Sequence, residues 1–224
     1  MPDRDLHRLS TPRAAAAAGV LFALLFGAVL ILIRTALPED AAPGSQWVDG
    51  GSTQLRVASV LMPFAGIAFL WFIGVVRDAF GRLEDRFFAS VFLGSGLLFL
   101  AMMFVASAVG AGLVASKAAI PDPEIHADIA AFGQMLLLKL TKTYALRMAA
   151  VFMMSLATIW LRTRLMPRWL VWVTYLAALV LLLASDVSMW MTLAFPVWVL
   201  VVSLLLLVRA GVIDVHREGS VHQP

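Results

Sequence analysis

Six apolar stretches, each close to the length of a bilayer-spanning helix, dominate this chain and leave little room for a water-soluble fold. A helix rises about 1.5 Å per residue, so roughly 20 apolar residues are needed to cross the hydrocarbon layer. The runs fall at about 14–33, 57–76, 87–114, 125–161, 169–184 and 189–208, the fourth being a long helical pattern with an outer extension. Composition agrees, with 62% of the 224 residues hydrophobic and only 14% charged. The mean hydropathy is +0.92. A soluble domain is nearer half apolar and a quarter charged, because its surface needs a polar skin. The expected fold is all-α, a polytopic membrane helix bundle of six transmembrane helices forming one domain over 1–224.

The distribution of arginine and lysine predicts how the bundle is oriented. With six spans, Arg4, Arg8, Arg13, Arg77, Arg82, Arg86, Arg162, Arg164, Arg168, Arg209 and Arg217 all fall at one face of the membrane. Only Arg34, Arg56 and Lys117 fall in the opposite loops. An odd number of spans breaks that agreement. The basic face is expected to be cytoplasmic, which puts both termini inside. The first apolar run exceeds the roughly 7–15 residues of a signal-peptide core, so an uncleaved first span is expected. The opposite loops are acidic and rich in turn residues. There, Asp122 is placed to cap a helix, with Pro123 at its first position and Glu124 in its first turn.

Several function classes lose support at this point. The chain has no cysteine, which removes disulfides, thiolate metal sites and cysteine nucleophiles. Of the four histidines, His7, His216 and His222 lie outside the apolar runs and His126 lies in the outer extension of the fourth, so no bis-histidine membrane haem is expected. No acidic or histidine relay crosses the bilayer. There is also no phosphate-binding glycine loop, zinc-protease helix motif or Gly-x-Ser-x-Gly. No catalytic residue, cofactor or metal is expected, and an enzyme is the least favoured class. The net charge of +3 comes from basic residues at the ends of apolar runs. They point to membrane lipid rather than nucleic acid. Trp47, Trp160, Trp169, Trp172 and Trp190 fall near the expected membrane boundaries, where tryptophan concentrates.

The fourth segment carries the main candidate site. At about 100° per residue, Lys142 lies about 60° to one side of Lys139 and Arg147 about 80° to the other. With Thr143 between them, these residues form a candidate outward-facing site for an anion or a lipid headgroup. Asp186, in the short loop between the fifth and sixth spans, is the candidate ion-pair partner for Lys142 or Arg147. In the third span Gly94, Ala106, Gly110 and Gly112 make a candidate helix-packing face, since small residues four apart let backbones approach. The loop holding Arg77, Asp78, Arg82, Glu84, Asp85 and Arg86 sums to zero charge and is a candidate cytoplasmic docking surface. Pro196 is a candidate kink, expected near the middle of the sixth span.

Pro63-Phe64-Ala65-Gly66-Ile67-Ala68-Phe69, Arg77-Asp78, Glu84-Asp85-Arg86-Phe87-Phe88, Gly94-Ser95-Gly96 and the Met166-Pro167-Arg168-Trp169 turn resemble uncharacterised multi-pass integral membrane proteins of actinobacteria. The resemblance covers about half the chain. It implies a bacterial inner membrane location, carries no established activity and assigns no functional residue. The expected function is a non-enzymatic membrane protein that binds or organises partner proteins or lipids, as a homo-oligomer or within a larger membrane complex. The competing expectation is a small transporter or channel for an anionic or amphipathic solute, using the basic site on the fourth helix.

Overall fold

The computed structural model describes residues 11–37, 46–80, 86–120, 122–164, 166–184 and 189–209. Seven α-helices account for nearly all of them: α1 (Thr11–Ala36), α2 (Gln46–Phe80), α3 (Arg86–Ala119), α4 (Pro123–Leu138), α5 (Leu146–Thr163), α6 (Arg168–Ala184) and α7 (Ala194–Arg209). A π-helical segment, Lys139–Ala145, joins α4 to α5, and a 3-10 turn, Met189–Leu193, leads into α7. Among the described residues there is no strand.

Five helical stretches are long and apolar enough to cross a membrane: Ala16–Ala36, Gly51–Arg77, Phe87–Lys117, Pro123–Thr163 and Trp190–Val208. The apolar α6 is shorter, at 17 residues. All six expected runs are thus helical.

Antiparallel neighbours set the layout. α1 packs against α2 and α7, α3 bridges α2 and α5, and α5 packs on α6. A hydrogen bond from Trp198 Nε1 on α7 to Thr174 Oγ1 on α6 (3.0 Å) ties the last helix back to the α5–α6 pair. A second bond joins α5 to α6, between Thr158 Oγ1 and Tyr175 Oη at 2.7 Å.

Phenylalanines from five helices fill the centre of this arrangement. Phe22 and Phe26 of α1, Phe69 and Phe72 of α2, Phe92 and Phe99 of α3, Phe152 of α5 and Phe195 of α7 are all buried. Their rings meet edge-to-face, tilted or stacked, for example Phe99–Phe195 at 4.7 Å, Phe22–Phe69 at 4.6 Å and Phe92–Phe152 at 4.5 Å between centroids. Offset and edge-on contacts suit the ring quadrupoles. In an apolar solvent such packing must carry helix association, because the hydrophobic effect between helices is largely absent there.

Pro196 behaves differently from expectation. Pro196 is the third residue of α7 and follows the 3-10 turn, so it does not interrupt the middle of a helix. A proline in the first turn is tolerated because its missing N–H has no intrahelical acceptor to lose. The expected mid-span kink at Pro196 is therefore replaced by a 3-10-to-α transition. Pro63 instead lies inside α2, where it removes a backbone bond. One turn earlier, Ser59 Oγ donates to Leu55 O at 2.7 Å.

Candidate functional site

The segment with Lys139, Lys142, Thr143 and Arg147 is not a plain α-helix. Residues Lys139–Ala145 are π-helical, so the even α-helical angle used to place the cations does not apply across them. A π turn sets its hydrogen bonds one residue further back and locally re-aims side chains, and such turns recur at functional positions. Thr141 Oγ1 donates to Leu137 O at 2.8 Å and to Leu138 O at 3.2 Å, which supplies carbonyls at the transition with a donor. Lys139 and Arg147 are exposed, Lys142 is half-buried, and Thr143 is buried. The candidate residues therefore divide: Thr143 belongs to the packed side, whereas Lys139 and Arg147 lie on the open side. Asp186, their candidate partner, lies outside the described residues.

The start of α7 lies level with this segment. The π segment contacts Met189–Leu193, and α1 touches the same turn. There the Arg34 guanidinium lies over the Trp190 ring, 3.4 Å from its centroid. This is a cation–π contact that holds a charge at the edge of the apolar bundle. Arg34 Nη1 is buried with no hydrogen-bond partner among the described residues. Gln54 Oε1 and both ring nitrogens of His126 are likewise buried and unpartnered among those residues.

Beyond that level, α4 continues for 16 residues, about 24 Å at roughly 1.5 Å per residue. Asp122 begins it as expected: Oδ1 accepts from Glu124 N at 2.9 Å and from Ile125 N at 3.4 Å. One stripe of α4, His126, Ala130, Gly133 and Leu137, is buried. It faces α3, where a Cβ on Gly133 would collide with Leu113. A neighbouring stripe, about 100° further around the helix, is apolar and uncovered. Ile125 is 53% exposed, Ile129 37%, Phe132 65%, Met135 61% and Leu136 37%. The main packing partners of α4 are α3 and the π segment.

The small-residue face of α3 divides in the same way. Ala106 is fully buried, and Gly110 faces Leu137 and Leu55, so these two serve packing within the bundle. Gly94 and Gly112 have open space where a side chain would go. The glycine in tight contact is Gly96, against Ile73 and Phe152. Between α2 and α3 lies a cavity of about 310 Å³ beside Pro63, with Ser59, Phe104, Ser107 and Ala111 in its wall.

At the arginine-rich end, Arg77 is exposed in the last turn of α2. Asp78 lies near the end of α2 and Arg86 opens α3, but their side chains, with Arg82, Glu84 and Asp85, lie outside the described residues. Arg162 lies over the Phe88 ring, 4.7 Å from its centroid, and ties the end of α5 to the start of α3.

Sequence reasoning missed the π segment, the Arg34–Trp190 contact and the uncovered α4 stripe. The last shows in the sequence as the spacing 125, 129, 132, 136 within the long fourth run. Comparisons with protein-family models, curated proteins and solved structures find no match to the chain.

Proposed function

We propose that this chain is a non-enzymatic membrane protein that organises an assembly through its projecting helix α4, with a second copy of itself as the first partner. The uncovered apolar stripe of Ile125, Ile129, Phe132 and Leu136 carries this reading. Six spans, with both termini in the cytoplasm of a bacterial inner membrane, put α4 beyond the hydrocarbon layer on the outer side. An apolar face of that kind in water calls for a cover. Its 4-3-4 spacing is that of a coiled-coil seam. None of the four positions is charged, so two copies can meet there side by side without repulsion. Confinement to one membrane raises the effective concentration of such pairs. The phenylalanine cluster supports the same reading, because it fills the centre where a conduit would run. Native mass spectrometry after gentle extraction tests it. A mass above the single 24.3 kDa chain is expected, with reversion to monomer in Ile129→Glu. A wild type that is monomeric and partner-free overturns the reading.

The π segment favours a second reading, an outward-facing anion site feeding a transport path. Proteoliposome flux separates the two. Flux of an anionic solute that is lost in Lys142→Ala and Arg147→Ala supports transport, and vesicles no leakier than protein-free controls exclude it.

A further inference from the structure

The arginine-rich end holds a cavity of about 320 Å³ in the turn between α5 and α6, with Trp160, Arg164, Met166, Pro167, Arg168 and Val171 in its wall. Trp160, Met166 and Val171 are buried and give it an apolar back. Arg164 and Arg168 are exposed at its mouth. Among the described residues neither of these side chains makes a hydrogen bond or ion pair.

The backbone here is unusual. Arg164 closes α5 in the left-handed region, φ 54° and ψ 25°, and it is the positive-φ non-glycine residue among those described. Glycine is the ordinary occupant of such a helix-ending position. Here an arginine holds it. Pro167 O accepts from Leu170 N at 3.0 Å and from Val171 N at 3.4 Å. The amides of Arg168 and Trp169, which precede these bonds, open α6 beside the same cavity.

Trp169 and Trp172 project outward from the first turns of α6, 58% and 65% exposed. Exposed tryptophans at a helix end mark the headgroup layer, so the cavity opens at headgroup depth.

We propose that this cavity binds the phosphate of an anionic membrane lipid. Arg164 and Arg168 contact the phosphodiester oxygens, since guanidinium forks match phosphate geometry. The glycerol and first methylenes lie against Trp160 and Val171. A zwitterionic headgroup brings a cation towards the same two guanidiniums, so an anionic lipid is preferred. Basic pockets between helices on the cytoplasmic side are the ordinary form of such recognition. The inference requires the bundle to lie in a membrane but is independent of docking along α4, and either can fail without the other.

The test is native mass spectrometry of the full chain, equilibrated with equal amounts of phosphatidylglycerol and phosphatidylcholine. The wild type is expected to retain phosphatidylglycerol at least several-fold over phosphatidylcholine. Arg164→Gly and Arg168→Gln should each abolish that preference. Arg164→Gly should melt no lower than wild type, because glycine suits its backbone, so lost binding there is not lost folding. Arg162→Gln removes an equal charge at the same end, but from a guanidinium lying over Phe88, and should keep the preference. Equal retention of the two lipids, or an undiminished preference in Arg164→Gly, overturns the proposal. Displacement of the lipid by inorganic phosphate alone would make the site one for free phosphate and would equally overturn it.

Discussion

Replacing Phe69 with alanine is the sharpest test of the aromatic centre. Its ring contacts Phe22, Phe72, Phe99, Phe152 and Phe195, at centroid distances of 4.6, 6.4, 5.5, 5.4 and 5.9 Å. In a water-soluble core a buried Phe→Ala costs about 3–5 kcal/mol. Part of that is transfer from water, which falls away when the separated helices remain in lipid or detergent. Lost packing and ring geometry remain, at about 0.5–1.5 kcal/mol for each aromatic pair. Partial collapse of the neighbours recovers some of it, leaving a net cost of about 2–4 kcal/mol. For a chain of this size that lowers the melting temperature by roughly 5–12 °C. The assay is thermal unfolding of purified protein in a mild detergent, followed by tryptophan fluorescence. Trp71→Ala is the control: it lies two residues along the same helix, is 69% exposed, and should cost no more than about 0.5 kcal/mol. If Phe69→Ala melts within about 2 °C of wild type, or Trp71→Ala falls as far, the phenylalanine cluster does not hold the bundle together.

Gly51→Ala should destabilise by about 1–3 kcal/mol, because its Cβ would come within 2.8 Å of the Ala36 backbone oxygen. Gly74→Ala has open space and should be neutral or gain up to about 1 kcal/mol from helix propensity; detergent melts of the pair check both signs. Asp122→Ala should cost about 1 kcal/mol through the lost cap, read as faster amide exchange confined to the first turn of α4.

How far the sequence revealed this fold depends on which physical signal each element carries. Long apolar runs marked every helix, because lipid exposure and core packing both call for apolar side chains. The Asp122 cap was legible because the Asp-Pro-Glu order itself sets the local hydrogen bonds. The π segment was not, since one turn of altered bonding leaves no mark on hydropathy. That hid the split between buried Thr143 and exposed Lys139 and Arg147. The Phe22–Phe69–Phe99–Phe195 contacts join residues far apart in sequence, so no local pattern announces them. Pro196 was misplaced because the apolar run begins in a 3-10 turn, which moved the start of α7 to the proline. The choice between Gly94 and Gly96 as the close-packed glycine turned on which side of α3 faces Phe152, and spacing alone does not say.

A single cysteine at Ile129 tests the account most directly. The native chain has no cysteine, so any disulfide formed belongs to that position. Mild oxidation of native membranes should convert Ile129→Cys to a covalent dimer, whereas Asp128→Cys, one residue around the helix, should convert far less. An Ile129→Cys protein that stays monomeric under oxidant, or one that crosslinks no better than Asp128→Cys, would contradict an assembly held along the apolar stripe of α4.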